Sequence, residues 1–594
     1  MSTLLHKSFI LNHNFKYLTK KIMNKSCLEI VKKKSIGTFY MVISNFSSDQ
    51  SKIENEKDIK ETKTIKKDKI EPTVYNNDPS TLPIDDEEFG KKFWEAYEKK
   101  MKDQQEIYRP YPDRIRYKKA YHNPIERAFG VVKDDILEYF GKLKHNSVLN
   151  IRPGKNSSKS PGFIKQEESF PSYCDVVIIG GGLVGTSIAY HLQERAKDGL
   201  KIVVIEKDMS YSKASTVLSV GGIRQQFSTP ENIILSKYGM DFLQQAENKL
   251  TIDDNEPVKM DVTFNGYLTL ATEKGYPQML ENYNLQLKHN SFVEMLSKEK
   301  LKRKFPWIET DNIVAGVHGT QREGWFDPWS LLLAMNRKAK TLGTEFVNGS
   351  VISCDSKNLG DYVLDPASKP SVMKQLSDVE VALPDGETRI IKCAVCVIAA
   401  GAWSKEVGMM CGIGTEEEGI RAVPIPVEPR KRFVYCVKVP DGPGLNCPLV
   451  IDPNKSYFRR EGLADLYLCG RSPEADEEPS VDDLSVDYSY FEEKVWPSIA
   501  ERCKKFENLK VQSAWAGYYD YNTFDQNAII GRHPSFSNLY IATGFSGHGI
   551  QQAAGAGKAL TELIVDSEFK TLDMERFGFD RILLREPIFE QCVY

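Results

Sequence analysis

The chain has 594 residues, 27% of them charged, and a formal net charge of −3. That balance excludes a general nucleic-acid binder, which needs a basic excess, and a 41% hydrophobic share is ordinary for globular proteins, not for collagen, coiled-coil or low-complexity chains. No apolar run is long enough to span a bilayer, and the 11 cysteines are too irregularly spaced for a disulfide framework, which points to reduced thiols.

Residues 1–48 hold eight lysines against one acid, Glu29, which leaves about −10 on the remainder. Ser and Thr are interleaved there with Phe9, Phe15, Tyr17, Phe39 and Tyr40. A basic, acid-poor, amphipathic opening is the pattern of a mitochondrial transit peptide and implies a matrix address. Arginine is absent before Arg109, which departs from that pattern, and a disordered leader also fits. Residues 49–72 are almost wholly polar and charged, so they cannot offset the entropy of ordering and read as a solvated linker. Two helices are predicted next. Phe89, Phe93 and Tyr97 recur every fourth residue behind Asp85 or Asp86 as caps. Ile125, Phe129, Val132 and Ile136 form a second stripe between Asn123–Pro124 and Gly141. These helices are expected to pack on the main body as simple core, or on a partner. Residues 150–172 are a Pro/Gly/Ser/Lys linker, so 49–172 is a charged, partly helical extension.

From Tyr173 the texture is α/β, without internal repeats, to about Ile564. The segment CDVVIIGGGLVGTSIAYHLQERAKDGLKIVVIEKD carries the strongest local signal. A buried strand, Asp175 to Ile179, runs into Gly180, Gly182 and Gly185, a G-x-G-x-x-G turn opening a helix. The first glycine permits the turn, the second lets a pyrophosphate reach the backbone, and the third brings helix and strand together. The helix amino end offers unpaired N–H groups to that anion. A second strand, Lys201 to Ile205, ends at Glu206, where a carboxylate can bind the ribose 2′-hydroxyl and repel the extra phosphate of NADP. This much predicts an ADP moiety without separating NAD from FAD. Further on, Cys393 and Cys396 lie in the apolar run IKCAVCVIAAGA, which reads as a core strand and not as a redox pair at a helix start.

Three further segments separate the cofactors. KDMSYSKASTVLSVGGIRQQFS follows Glu206, VCVIAAGAWS comes near residue 400, and GFSGHGIQQAAGAGKAL lies near the end. With the glycine turn, these resemble the FAD-linked amino-acid oxidase superfamily, the group of glycine oxidase and of sarcosine and dimethylglycine dehydrogenases, over residues 173 to about 570. The runs YSKASTVLSVGGIRQQFS, EGWFDPWSLL, PVEPRKRFVY and GYYDYNTFDQNAIIGRHP resemble a mitochondrial branch of that group tied to assembly of respiratory complex I. The resemblance implies an α/β fold in which a Rossmann-type FAD-binding domain (about 173–255, 328–420 and 511–570) interleaves with a mixed-sheet substrate or cap domain (about 256–327 and 421–510).

It also implies roles for residues. Ser215, Thr216, Gly221 and Gly222 would meet the pyrophosphate and flavin edge. Arg224 would lie near the flavin face or act as a structural clamp. Val351 would meet the adenine, and Gly401 and Trp403 the ribose–adenine side, though the tryptophan could equally be core. Gly544, Gly547, His548, Gly549 and Ile550 would close on the flavin, and the helix that follows would stabilise the negative charge that develops on reduction. Leu218 stands where covalently flavinylated relatives carry a histidine, so the FAD is expected to be non-covalent. Gln551 stands where sarcosine-type oxidases grip the substrate carboxylate with a lysine, and Tyr467 where they activate oxygen with another. Oxygen is therefore a poor candidate acceptor.

The substrate face is expected in FNGYLTLA and SYFRREGLADLYLCG, where Tyr457 and Arg459 share one strand face and either bind a carboxylate or satisfy each other. Tyr518, Tyr519 and Asp520 are equally ambiguous. The catalytic candidates are Arg224, Tyr457, Arg459, His548 and Gln551. His533 and His548 lack the companions of a metal site. Three readings stay open. One is a complex I assembly protein whose partners are complex I subunits or assembly intermediates, with at most peripheral inner-membrane association. The second is a flavin dehydrogenase of a small amine or N-methyl amino acid. The third is a flavoprotein whose FAD is structural.

Overall fold

The computed structural model describes residues 170–252, 258–362 and 371–593. The predicted leader, the linker at 49–72 and both helices between residues 85 and 141 lie outside them.

The first sheet is built on Val/Ile runs that are buried on both faces, as parallel strands require. Tyr173–Ile179 is central, with Val176–Ile179 paired to Ile202–Ile205 on one side and Val395–Ile398 on the other. Across the sheet the order is Ile529–Arg532, Leu539–Thr543, Thr388–Ile398, Tyr173–Ile179, Ile202–Glu206, Glu345–Asn348. Ser371–Ala382 and Ser350–Tyr362 extend from Thr388–Ile398 as an antiparallel meander. Cys393 and Cys396 sit within Thr388–Ile398, buried, and burial raises both thiol pKa values. In Cys396 the leading influence is instead a hydrogen bond with Cys411, which works the other way. Helices Leu183–Ala196, Pro328–Thr341 and Gly549–Asp566 pack beside this sheet. The small residues of GAGKAL follow from that packing: a methyl on Gly557 would stand 2.2 Å from Ser187 Oγ on the neighbouring helix.

The second sheet has the order Lys510–Asn522, Val427–Lys438, Leu466–Arg471, Ser456–Glu461, Leu449–Ile451, Tyr267–Ala271, Ala315–Gly319, Val293–Ser297. All its pairs are antiparallel except Leu449–Ile451 with Tyr267–Ala271. Side chains alternate along each strand. Leu268, Phe433, Tyr435, Val450 and Phe458 face a private core with Phe491 and Phe506. Tyr267, Arg432, Val434, Leu449, Ile451 and Tyr457, their immediate neighbours in sequence, face the cavity described below. Lys510–Asn522, whose residues from 511 were read in sequence as the opening of the last nucleotide-binding segment, is the edge strand of this second sheet. Among the described residues no helix is long and apolar enough to cross a membrane.

Candidate functional site

A cavity of about 750 Å³ lies between the carboxyl ends of the parallel strands and the inner face of the second sheet. At one end stands the glycine turn. Gly180 has φ +109, and a Cβ there would lie 2.3 Å from the Ala399 carbonyl oxygen. A Cβ on Gly185 would lie 1.9 Å from the Gly180 carbonyl oxygen, so this glycine packs helix on strand and does not line the cavity. Gly182 does line it, with nothing closer to a hypothetical Cβ than Thr216 Oγ1 at 3.5 Å. Helix Leu183–Ala196 therefore presents its amino end to the cavity, with Leu183 N–H donating to Thr216 Oγ1 at 3.1 Å. The Glu206 carboxylate accepts from Gly181 N at 2.7 Å and Asp208 N at 2.9 Å, and burial raises its pKa. Ser215, Thr216 and Val351 also line this end, as do Gly401 and Trp403. Trp403 is 40% exposed and meets Tyr518 edge to face at 5.7 Å, so it is a rim residue and not core.

Two segments close the other end. The loop bearing Leu218 and Gly222 is pinned from outside. Arg459 donates to the Val220 carbonyl at 2.9 and 3.2 Å, Trp515 Nε1 donates to the Leu218 carbonyl at 2.9 Å, and Gly221, at φ +71, packs on Phe326 away from the cavity. The second segment runs through Gly547, His548, Gly549 and Ile550, all of which line the cavity, whereas Gly544 does not. Asp520 holds its entry by accepting from Phe545 N at 3.0 Å, and burial pushes this carboxyl up to about 6.

Of the catalytic candidates, Arg224, Tyr457, His548 and Gln551 converge on the cavity, and Arg459 does not. Arg459 is spent on Val220, the Arg460 carbonyl and Glu461, so it is not a carboxylate ligand in the cavity. Arg224 is buried, donates to the Gln226 carbonyl at 2.7 Å and to the Cys592 carbonyl, reaches His548 Nε2 at 3.1 Å and lies over Phe227. It is a clamp. Arginine can only donate, so His548 Nε2 accepts; burial, then Arg224, holds this imidazole well below its ordinary pKa and therefore neutral. Gln551 Oε1 accepts from the Arg224 backbone N at 2.7 Å. Tyr467 lies in the private core of the second sheet, bonded to Gly444 and Arg460, so it does not occupy a flavin-facing position.

Sequence reasoning missed Arg432, Tyr267 and Glu323. Arg432 lines the cavity but grips Glu478 with two bonds of 2.8 and 3.0 Å. Glu323 is fully buried, accepts from Gln225 N and Gln226 Nε2, and is pushed up to about 7 by burial. Tyr267, Tyr457 and Tyr519 wall the chamber, and among the described residues nothing hydrogen-bonds their hydroxyls. The alternation in FNGYLTLA was the one available signal for Tyr267. Among the described residues no group of three or more His, Cys, Asp or Glu side chains could hold a metal. His533 is buried against Phe579, with its pKa lowered to about 3 by burial.

An elongated cavity with an open helix amino end, a ribose-side carboxylate and a glycine-backed far end fits a dinucleotide carrying a flat ring. Residues 175–563 match the family described as FAD dependent oxidoreductase (DAO). The chain belongs to this family. FAD is its cofactor, and Leu218 in the cavity wall leaves no histidine at that position for a covalent link. A Xenopus laevis protein named FAD-dependent oxidoreductase domain-containing protein 1 is 46% identical over 429 residues, which cover 71% of this chain and 85% of that one. Its Bos taurus namesake is 44% identical over 427 residues, covering 71% and 87%. Among solved structures, L-proline dehydrogenase from P. horikoshii matches with a TM-score of 0.57 at 26% identity, covering 70% of this chain and 100% of that one.

Proposed function

We propose that this FAD-dependent oxidoreductase is a mitochondrial protein that serves the assembly of respiratory complex I, with complex I subunits or assembly intermediates as its partners. The runs quoted above and the lysine-rich residues 1–48 support the address and the role. One observation in the site carries the choice. The cradle for FAD is complete, yet Arg224, Arg432 and Arg459, the arginines around the chamber, are all committed to acceptors of the protein itself. The usual means of holding an amino-acid carboxylate is thus spent on the fold.

When bound, FAD supplies two-electron hydride chemistry. The chain orients and shields it. The glycine turn and helix amino end would hold the anionic pyrophosphate, Glu206 would select a ribose hydroxyl over a 2′-phosphate, and the tyrosine walls would shield the ring. His548, kept neutral by burial, keeps a proton off Nε2 and accepts from Arg224 there.

A second reading, a dehydrogenase of a small amine or N-methyl amino acid, is favoured by the hydroxyls of Tyr267, Tyr457 and Tyr519. All three residues line the cavity, and a small polar ligand there would pair with their hydroxyls. Cells lacking the protein should lose mature complex I on native gels and regain it with the parent chain. Normal complex I in its absence, together with anaerobic bleaching of the purified flavoprotein by an amine, would replace the first reading by the second.

A further inference from the structure

We propose that the strap formed by residues 586–593 is a part of the FAD site that retains the cofactor. It lies beyond residue 563, where the family match stops. The inference concerns cofactor binding alone and stands whether or not the chain serves complex I.

Glu590 is 2% exposed, and its carboxylate collects a dense set of donors. Ser228 gives its N–H at 2.8 Å and its hydroxyl at 2.7 Å, Thr229 its hydroxyl at 3.0 Å, Asn232 its amide at 2.9 Å, and Cys592 its N–H at 3.0 Å. Thr229 is the N-cap of helix Pro230–Gln244 and makes no side-chain cap of its own; its hydroxyl goes to Glu590 instead, which places the carboxylate at the amino end of this helix.

Two lines then run from the strap to the cofactor segment. In the first, Asn232 passes from Glu590 to Gln552, whose Nε2 donates to Asn232 Oδ1 at 3.0 Å. In the second, the Cys592 carbonyl accepts from Arg224, whose guanidinium reaches His548 at 3.1 Å and whose backbone N holds Gln551 at 2.7 Å. His548, Gln551 and Gln552 belong to the turn that lines the cavity and to the helix it opens. The strap is anchored independently: Ile588 N donates to Asp525 at 3.1 Å, and Asp525 is paired with Arg581 at 2.7 Å.

The strap therefore bolts the turn that must close on FAD. A cofactor held without a covalent bond depends on such geometry for its residence. Glu590 and Cys592 are positioning residues that act through Asn232 and Arg224.

The test uses the full chain, the Glu590→Ala variant and a variant lacking residues 592–594. FAD is titrated into each apoprotein by fluorescence, and unfolding temperatures are read with and without FAD. Both variants are expected to bind FAD about tenfold or more weakly, the scale of a lost charge-assisted hydrogen bond. Glu590→Ala leaves buried donors unpaired and should lower the apoprotein's unfolding temperature, but in both variants the additional stabilisation that FAD confers should shrink, because that increment grows with affinity. Affinity within about twofold of the parent in the shortened variant overturns the proposal. So does an equal loss of stability with and without FAD, which marks a merely structural strap. If Glu590→Ala does not fold, the shortened variant decides, since it keeps the Ser228, Thr229 and Asn232 bonds to Glu590. If that variant does not fold either, the strap belongs to the fold and the proposal fails.

Discussion

At the residue scale, two glycines of one motif do different work. A methyl at Gly180 meets the Ala399 carbonyl carbon at 2.7 Å as well as its oxygen, in a left-handed backbone. Gly180→Ala is expected to cost several kcal/mol, roughly 1–2 of them from φ alone, and to lower the unfolding temperature of the apoprotein. Gly182→Ala meets no backbone and should leave that temperature unchanged, yet lose FAD, because its methyl points where the pyrophosphate must approach. Comparing visible flavin absorbance with apoprotein stability for the pair checks this, and a fully yellow Gly182→Ala protein refutes it. These glycines were legible because local turn geometry dictates their spacing. Glu323 was not, because its partners Gln225 and Gln226 lie about a hundred residues away. Its raised pKa has a consequence for pH. The folded state holds this proton up to about 7 whereas an unfolded glutamate releases it near 4.5, so stability falls as pH rises through that window. Glu323→Gln should flatten the decline, with the variant gaining on the parent by about 1 kcal/mol per pH unit between 5 and 7 in urea unfolding. A constant difference across that range would show that Glu323 does not titrate there.

At the scale of elements, alternation in the second sheet explains what could be read and what could not. The pattern of FNGYLTLA announced a half-buried strand, but only pairing shows that Tyr267, Leu449 and Tyr457 share one wall while Leu268, Val450 and Phe458 share the other. Residues from 511 belong by resemblance to the cofactor segment, yet Lys510–Asn522 pairs with Val427–Lys438 at the edge of the second sheet before the chain runs on into that segment. Arg459 and Tyr457, two residues apart on one face, divide their labour accordingly. Arg459 buttresses the loop at Val220, so Arg459→Ala strips a half-buried carbonyl of its donors and is expected to cost about 1–3 kcal/mol. Tyr457→Phe removes a hydroxyl without a protein partner, keeps the ring over Gly470, and should leave stability within about 0.5 kcal/mol of the parent. Urea unfolding of both variants checks the contrast, which fails if Tyr457→Phe is the more damaging of the two.

At the scale of the whole molecule, charge divides the chain. Residues 1–48 concentrate lysine and the remainder is acidic, and the described residues that line the cofactor cavity run from Ile179 to Gln551. A membrane potential negative inside pulls a cationic segment inward with about 2.3 kcal/mol per charge per 100 mV, so the net charge of residues 1–48 gives them the electrical means to lead import. A reporter fused to residues 1–48 is expected to enter isolated mitochondria only while the potential is maintained, and replacing the eight lysines of that stretch with glutamine should abolish entry. The chain from residue 49 onward should stay outside, yet bind FAD as tightly as the full chain. Import of that shortened chain would remove the leader from the account and, with it, the support that the assembly role draws from a matrix address.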